Sequence, residues 1–150
     1  MLPSDASSDR TRARSRSTAE SGPIRVMVIA RTAAERLALA VMIKSQPAME
    51  LVAEKESCRS GLAWLDGNAT DVILLDQALL NAESAGLFRE HCESGGDSRI
   101  LLLAFHELDA VRRLARYDFI KDYVLKGNDA SGIVTAIQTL AQHGRGGNTG

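Results

Sequence analysis

The chain has 150 residues, of which 45% are apolar and 25% charged, and 18 basic against 19 acidic residues leave a net charge of -1. These values are typical of one soluble domain, and the charge balance excludes a protein that coats nucleic acid through a cationic surplus. No apolar run approaches the roughly 20 residues that span a bilayer, and the N-terminus lacks the apolar core of a secretory signal. Cys58 and Cys92 are too few for a disulfide framework, so a cytoplasmic location is expected.

Both ends of the chain differ from its middle. Residues 1–23 hold six serines, two prolines and no aromatic or β-branched apolar residue, which predicts a disordered tail. Alternating arginines at 10, 12, 14 and 16 could form a basic arm, but the tail nets only +1, which favours a solvated leader. Residues 144–150 hold four glycines and are predicted to be a flexible tail or a linker stub. The folded domain is therefore predicted to span 24–143.

Within that domain, short buried strands alternate with helices. The predicted strands are 24–30, 49–54, 71–76, 100–104 and 122–125, each short and rich in apolar residues. The first helix is predicted to begin at Thr32, whose T-x-x-E spacing to Glu35 forms a capping box, with Leu37 and Val41 as its apolar positions. Further helices are predicted around Leu62 and Leu65, over 87–92, over 107–117, and along Ile133, Ile137 and Leu140.

Five strands alternating with five helices predict right-handed βαβ crossovers. The expected fold is a doubly wound α/β domain, flavodoxin-like, whose five-stranded parallel sheet has the strand order 2-1-3-4-5. In such sheets the functional crevice lies outside the carboxyl ends of the strands. The residues expected there are Ala30, Arg31, Asp76, Gln77, Ala104, Phe105 and Lys126.

Asp76 and Lys126 are the charged residues that stand out at this edge. Asp76 closes the third strand and is either a carboxylate that caps the next helix or a nucleophile or metal ligand. Lys126 closes the fifth strand and is either a solvated lysine or a fixed cation directed at an anion. Since the first, third and fifth strands end close together, the two side chains are expected to meet.

The segments, taken in their order along the chain, resemble the receiver domain of two-component response regulators, in the group usually joined to a helix-turn-helix output domain. IRVMVIA resembles the first strand, PAMELVAEKES the second, DVILLD the third, RILLLA the fourth and DYVLKGNDA the fifth. The resemblance covers nearly all of 24–143. It implies that Asp76 is the phospho-acceptor position, that Lys126 contacts the anion, and that Tyr123 is the aromatic switch residue.

Other parts of the receiver site are replaced. The resemblance implies Mg²⁺ bound by Asp76, by the carbonyl of Ala78 and by an acidic pair, but Ala30 and Arg31 stand at the pair's positions. Ala104 stands where receivers have a serine or threonine. Because Mg²⁺ requires oxygen ligands, its binding is expected to be weak or absent, and no other cofactor is expected. We expect the guanidinium of Arg31 to bind Asp76 instead.

Three functions remain open at this stage. The first is an atypical or pseudo-receiver, not an enzyme, that acts through protein–protein contacts largely independent of Mg²⁺-dependent phosphorylation. The alternative is a receiver phosphorylated at Asp76 by a histidine kinase, which regulates transcription through an output domain outside this chain. A small flavodoxin-like enzyme or cofactor binder is the third, although no GxGxxG, GxxxxGK[ST] or GxSxG motif is present.

The partner surface implied by the resemblance is the face of the fourth helix, fifth strand and fifth helix. Arg112 and Arg113, with Tyr117 nearby, give this region the mixture of arginine and aromatic residues that interfaces favour. We expect a homodimer or a protein partner there, without direct contact to nucleic acid or membrane. His91 and Cys92 are adjacent on a helix and cannot face a common ion, so no metal site is expected.

Overall fold

The computed structural model describes residues 22–127 and 129–145. The strands are β1 (Ile24–Ile29), β2 (Met49–Lys55), β3 (Val72–Asp76), β4 (Arg99–Ala104) and β5 (Ile120–Leu125). The helices are α1 (Ala33–Lys44), α2 (Cys58–Leu65), α3 (Ala82–Glu93), α4 (Glu107–Arg116) and α5 (Ala130–Arg145), and a 3-10 turn (Gln77–Leu79) follows β3.

The five strands form one sheet in the order β2-β1-β3-β4-β5, and each of the four neighbouring pairs is parallel. This confirms the predicted doubly wound fold and its strand order. β3 lies at the centre, and every one of its residues is buried because helices cover both faces of the sheet. The register pairs Asp76 with Leu103 and Ala104 with Leu125, which aligns the carboxyl ends of β3, β4 and β5.

Two apolar cores lie on opposite faces of the sheet. Alternate residues of a strand point to opposite faces, so Leu74 packs with α1 and α5 while Ile73 and Leu75 pack with α2, α3 and α4. Helix α2 lies so close to β1 that a Cβ placed on Gly61 would be 2.6 Å from the Ile29 Cδ1 atom. Among the described residues no helix has both the length and the apolar character needed to cross a membrane.

Helix α1 corrects one expectation from the sequence. Leu37 and Val41, predicted as its apolar positions, are 65% and 61% exposed, and the buried residues of α1 are Leu39, Ala40, Met42 and Ile43. The apolar residues of α1 occupy nearly every side of the helix, so spacing alone could not select the buried face. The packing of α1 on the sheet selects it.

Several boundaries also differ from the predicted ones. Helix α3 begins at Ala82, five residues before the predicted start, because Asn81 and Ser84 form a reciprocal capping box that the sequence reading missed. Strand β5 begins at Ile120 rather than 122, and α5 continues to Arg145, two residues past 143. Most of both predicted tails, residues 1–21 and 146–150, lies outside the described residues.

Candidate functional site

The carboxyl ends of β3 and β5 bring Asp76 and Lys126 together, as predicted. Asp76, the last residue of β3, is only 1% exposed. Its Oδ1 atom accepts hydrogen bonds from Lys126 Nζ at 2.7 Å and from the Ala78 amide at 3.0 Å. Its Oδ2 atom accepts one from the Arg31 amide at 3.4 Å. Both oxygens of this buried carboxylate therefore have donors within the protein, as burial of a charge requires.

A third charged residue, Glu35, completes the site. The Nζ atom of Lys126 lies 2.7 Å from Glu35 Oε2 as well as from Asp76 Oδ1, so one ammonium bridges two carboxylates. We call these residues the Asp76–Lys126–Glu35 triad. The Lys126 backbone amide donates to the Ala104 carbonyl at 2.8 Å, and Lys126 Nζ lies 4.3 Å from the centre of the Phe105 ring. These contacts fix the lysine in a partly buried position, with 20% of its side chain exposed.

Asp76 and Lys126 stabilise each other's charged forms. Burial by itself raises the pKa of Asp76, but the bonds from Lys126 and the Ala78 amide outweigh it, so this pKa lies below its ordinary 3.8. Burial by itself lowers the pKa of Lys126, but its bonds to Asp76 and Glu35 outweigh it, so this pKa lies above its ordinary 10.5. Asp76 is therefore an anion and Lys126 a cation throughout the neutral pH range.

Glu35 was not predicted as a site residue, because the T-x-x-E pattern placed it in a capping box. Thr32 Oγ1 does accept a hydrogen bond from the Glu35 amide at 3.2 Å, which confirms Thr32 as the N-cap of α1. The Glu35 carboxylate, however, forms an ion pair with the Lys126 ammonium. The available signal was position: the first turn of α1 follows the carboxyl end of β1, at the same sheet edge as Asp76.

The expectation that the guanidinium of Arg31 binds Asp76 was wrong. The side chain of Arg31 is exposed, and the hydrogen bond to Asp76 comes from its backbone amide. The loop between β1 and α1 turns its peptide N–H toward the site, which leaves the side chain toward solvent. The guanidinium near this loop is that of Arg36, whose Nη1 atom donates to the carbonyls of Ala30 and Arg31 at 2.7 and 3.1 Å.

The end of β4 carries no side-chain hydroxyl. Gln77 instead connects the end of β3 to the loop that follows β4. Ala104 is fully buried and offers only a methyl group. Gln77, buried directly after Asp76, accepts a hydrogen bond from the Phe105 amide at 3.1 Å through Oε1 and donates through Nε2 to the Asp109 carboxylate. Gln77 thus joins the end of β3 to the β4–α4 loop and to α4.

The residues predicted for a partner surface occupy different environments. Arg112 is exposed, but Tyr117 is 9% exposed and lies in the core beside Phe119, their ring centres 5.5 Å apart. This corrects the interpretation of Tyr117 as a surface residue: the chain turns inward after α4, which places this ring under the helix. Arg113 is half-buried, with Nε 3.6 Å from the Asp109 carboxylate.

Tyr123, the switch position implied by the resemblance, is half-buried on β5. Its hydroxyl donates to the Glu107 carboxylate at 3.1 Å, and this bond raises the pKa of Tyr123. The bond ties β5 to the first turn of α4. Tyr123 and Gln77 thus both connect the sheet edge to α4, one at each side of the β4–α4 loop.

The residues at this edge do not fit Mg²⁺. A divalent cation shared by Asp76 and Glu35 would have to lie between their carboxylates, and the Lys126 ammonium occupies that position. The backbone carbonyls of Ala30 and Arg31 are bound by Arg36, which places a second cation beside the site. Mg²⁺ requires near-octahedral oxygen ligation. Within 22–127 and 129–145, no group of three or more metal-ligating side chains could hold an ion.

The chain has the receiver fold of response regulators. The signal receiver domain of the putative response regulator NarL from Mycobacterium tuberculosis is similar with a TM-score of 0.70 and 20% identity, over 81% of this chain and 98% of that one. A LuxR-family two-component response regulator from Aurantimonas sp. SI85-9A1 is similar with a TM-score of 0.71 and 21% identity, over 83% and 89%.

A further solved structure, the P1 domain of CheA3 in complex with CheY6 from R. sphaeroides, is similar with a TM-score of 0.69 and 24% identity, over 79% of this chain and 97% of that one. No protein-family model and no curated protein matches the sequence. At these identities the likeness establishes the fold, and the function must be argued from the site.

Proposed function

We propose that this protein is an atypical receiver, or pseudo-receiver, of two-component-type signalling in the cytoplasm. It acts through protein–protein contacts largely independent of Mg²⁺-dependent phosphorylation, and it is not an enzyme. The observation that supports this proposal is the Lys126 ammonium, which lies 2.7 Å from both Asp76 and Glu35. The protein itself therefore supplies a cation, Lys126, and a second anion, Glu35, next to Asp76.

Phosphoryl transfer to Asp76 is disfavoured by this arrangement. Transfer requires cations that neutralise the charge on the phosphoryl oxygens, usually a metal ion together with a lysine. Here the ammonium of Lys126 already binds two carboxylates, and the Glu35 carboxylate would repel an incoming phosphoryl group. Hydrogen bonds from Lys126 and the Ala78 amide also stabilise the negative charge on Asp76 Oδ1, which makes this oxygen a weaker nucleophile.

The contacts of Gln77 support a state that does not depend on phosphate. In this chain the β4–α4 loop is held by Gln77 through the Phe105 amide and the Asp109 carboxylate. No hydroxyl at Ala104 is available to bond a phosphoryl group. The Gln77 contacts therefore connect α4 to β3 without a phosphoryl group.

We place the partner surface on the face of α4, β5 and α5. Phe105, Leu108 and Val111, which lie in the β4–α4 loop and on α4, are 50%, 62% and 48% exposed. Grouped exposed apolar side chains are typical of protein interaction sites. With Arg112 exposed on the same helix, this face suits a second copy of the chain or another protein, for which a histidine kinase is one candidate.

The alternative, a receiver phosphorylated at Asp76 that regulates transcription through an output domain outside this chain, is favoured by one observation. Asp76 is an ionised carboxylate at the carboxyl end of the central strand, as a phospho-acceptor must be. Incubation with acetyl phosphate and Mg²⁺, followed by intact mass measurement, separates the two proposals, with Asp76→Asn as the control. We expect no added phosphoryl mass. Stoichiometric labelling that disappears in Asp76→Asn would establish the alternative.

A further inference from the structure

A cavity of about 400 Å³ lies between the start of α3 and the outer side of α4, away from the Asp76–Lys126–Glu35 triad. Arg112, Arg113 and Arg116 line it from α4. Asn81 and Ala82, at the first turn of α3, line the opposite side. Of these arginines, Arg112 also belongs to the proposed partner surface, whereas Arg113 and Arg116 have no role in it.

The charge in this cavity is poorly compensated. Asp109 is the acidic residue that lines it, against three guanidinium groups. The Asp109 carboxylate also accepts a hydrogen bond from Gln77, and its distance to Arg113 Nε is 3.6 Å. Among the described residues, Arg112 and Arg116 have no carboxylate within 4 Å. Like charges four residues apart on a helix repel each other, so an anion that binds both relieves this repulsion.

Two of the three arginines, Arg113 and Arg116, are also held in place before any ligand binds. The Arg116 guanidinium lies 5.5 Å from the centre of the Tyr117 ring, a cation–π contact with a core residue. Arg113 Nη1 donates to the Leu80 carbonyl at 3.4 Å, while its Nε atom is buried with no hydrogen-bond acceptor. This Nε atom lies 3.6 Å from the Asp109 carboxylate, so the protein orients the guanidinium from two sides. Fixed donors lose little entropy on binding.

We propose that this cavity binds a small organic phosphate of about the size of a nucleoside monophosphate. Arginine binds phosphate through two parallel charge-assisted hydrogen bonds, and the positive end of the α3 dipole lies on the other side of the cavity. A volume of about 400 Å³ lies in the range of small-molecule sites and exceeds what a bare phosphate fills. The planar guanidinium of Arg116 offers a surface on which an aromatic ring can stack.

The test is titration of the full chain with GMP, guanosine and inorganic phosphate, followed by amide chemical shifts. We expect saturable shifts with GMP at residues 81–82 and 112–117, and binding at least about tenfold tighter for GMP than for guanosine, or about 1.4 kcal/mol. The double change Arg112→Gln with Arg116→Gln is expected to weaken GMP binding at least about tenfold. Arg112→Gln alone, at an exposed side chain, serves if the double variant does not fold.

The matched control is Arg89→Gln. Arg89 is an exposed arginine of α3 that also lies over an aromatic ring, 6.0 Å from the centre of Phe119, but it does not line the cavity. It is expected to leave GMP binding unchanged. Equal weakening by Arg89→Gln would overturn the proposal, since it would show a diffuse charge effect. So would the absence of saturable binding, equal affinity for guanosine, or equal affinity for inorganic phosphate.

Discussion

The Nζ atom of Lys126 lies 2.7 Å from the Glu35 carboxylate, which joins the end of β5 to the first turn of α1. The same nitrogen is 2.7 Å from Asp76 at the end of β3. Helix α1 and the central strand β3 are therefore both bound to one cation at the end of β5. The side chains are partly buried, so solvent weakens their attraction less than it does for surface ion pairs.

Glu35→Gln should lower the free energy of unfolding by about 1 kcal/mol, because it removes one of the two carboxylates on Lys126 while keeping the size of the side chain. Urea unfolding at pH 7 measures the effect. Glu54→Gln, at an exposed glutamate of β2, is the matched control and should change little. Equal stabilities of the Glu35→Gln and Glu54→Gln variants would show that the Glu35–Lys126 contact contributes nothing.

Mg²⁺ should produce no saturable change in the amide shifts around Asp76 at physiological millimolar concentrations. In Lys126→Met, by contrast, two carboxylates are left without their cation, and we expect this variant to bind Mg²⁺ and to be stabilised by it. Lys121→Met, at an exposed lysine of β5, should behave as the unmodified protein does. A saturable Mg²⁺ response in the unmodified protein that vanishes in Asp76→Asn would contradict the proposed function.

The pH dependence of stability follows from the directions of the two pKa shifts. The pKa of Asp76 is lowered by folding, so its contribution is complete above its unfolded value of 3.8 and is lost as the pH falls through the folded pKa. The pKa of Lys126 is raised, so its contribution is complete below 10.5 and is lost as the pH rises through the folded pKa. Urea midpoints for Asp76→Asn and the unmodified protein should differ most between pH 3.8 and pH 10.5. They should converge as the pH falls below the folded pKa of Asp76.

The sheet and its carboxyl-end residues were predictable from the sequence for a physical reason. Parallel strands that are buried on both faces must be short continuous apolar runs, as VILLD shows, so their order and their ends are visible in the sequence. Since strand ends gather at one sheet edge, the meeting of Asp76 with Lys126 followed from topology alone.

The contacts that characterise this site were not predictable in the same way. Glu35 and Gln77 act through side-chain directions, which depend on how α1 and the 3-10 turn sit against the sheet. Arg31 contributes its backbone, which no residue type reveals. The exposure of Leu37 depends on which face of α1 meets the sheet, and the burial of Tyr117 depends on the turn of the chain after α4.

Cys58 should react with alkylating reagents far more slowly than Cys92 at neutral pH. Burial raises the pKa of Cys58 to about 11, and its Sγ atom lies 3.6 Å from the Leu79 carbonyl oxygen, to which the thiol donates. The reactive thiolate is therefore rare and poorly accessible. Cys92 is more exposed. Rates for Cys58→Ser and Cys92→Ser with iodoacetamide measure the difference, and equal rates would mean that α2 opens readily.

Leu108→Ser should weaken self-association or partner binding without unfolding the domain, because Leu108 is a 62% exposed leucine on the proposed α4 surface and does not line the arginine cavity. Arg112→Glu should act in the same direction, whereas Arg113 is an unsuitable probe since it is half-buried against Asp109. Sedimentation velocity and pull-down measure the association, and thermal unfolding verifies the fold. The matched control is Leu37→Ser, at a 65% exposed leucine of α1. If Leu37→Ser weakens association while Leu108→Ser does not, the contact lies on the first helix instead.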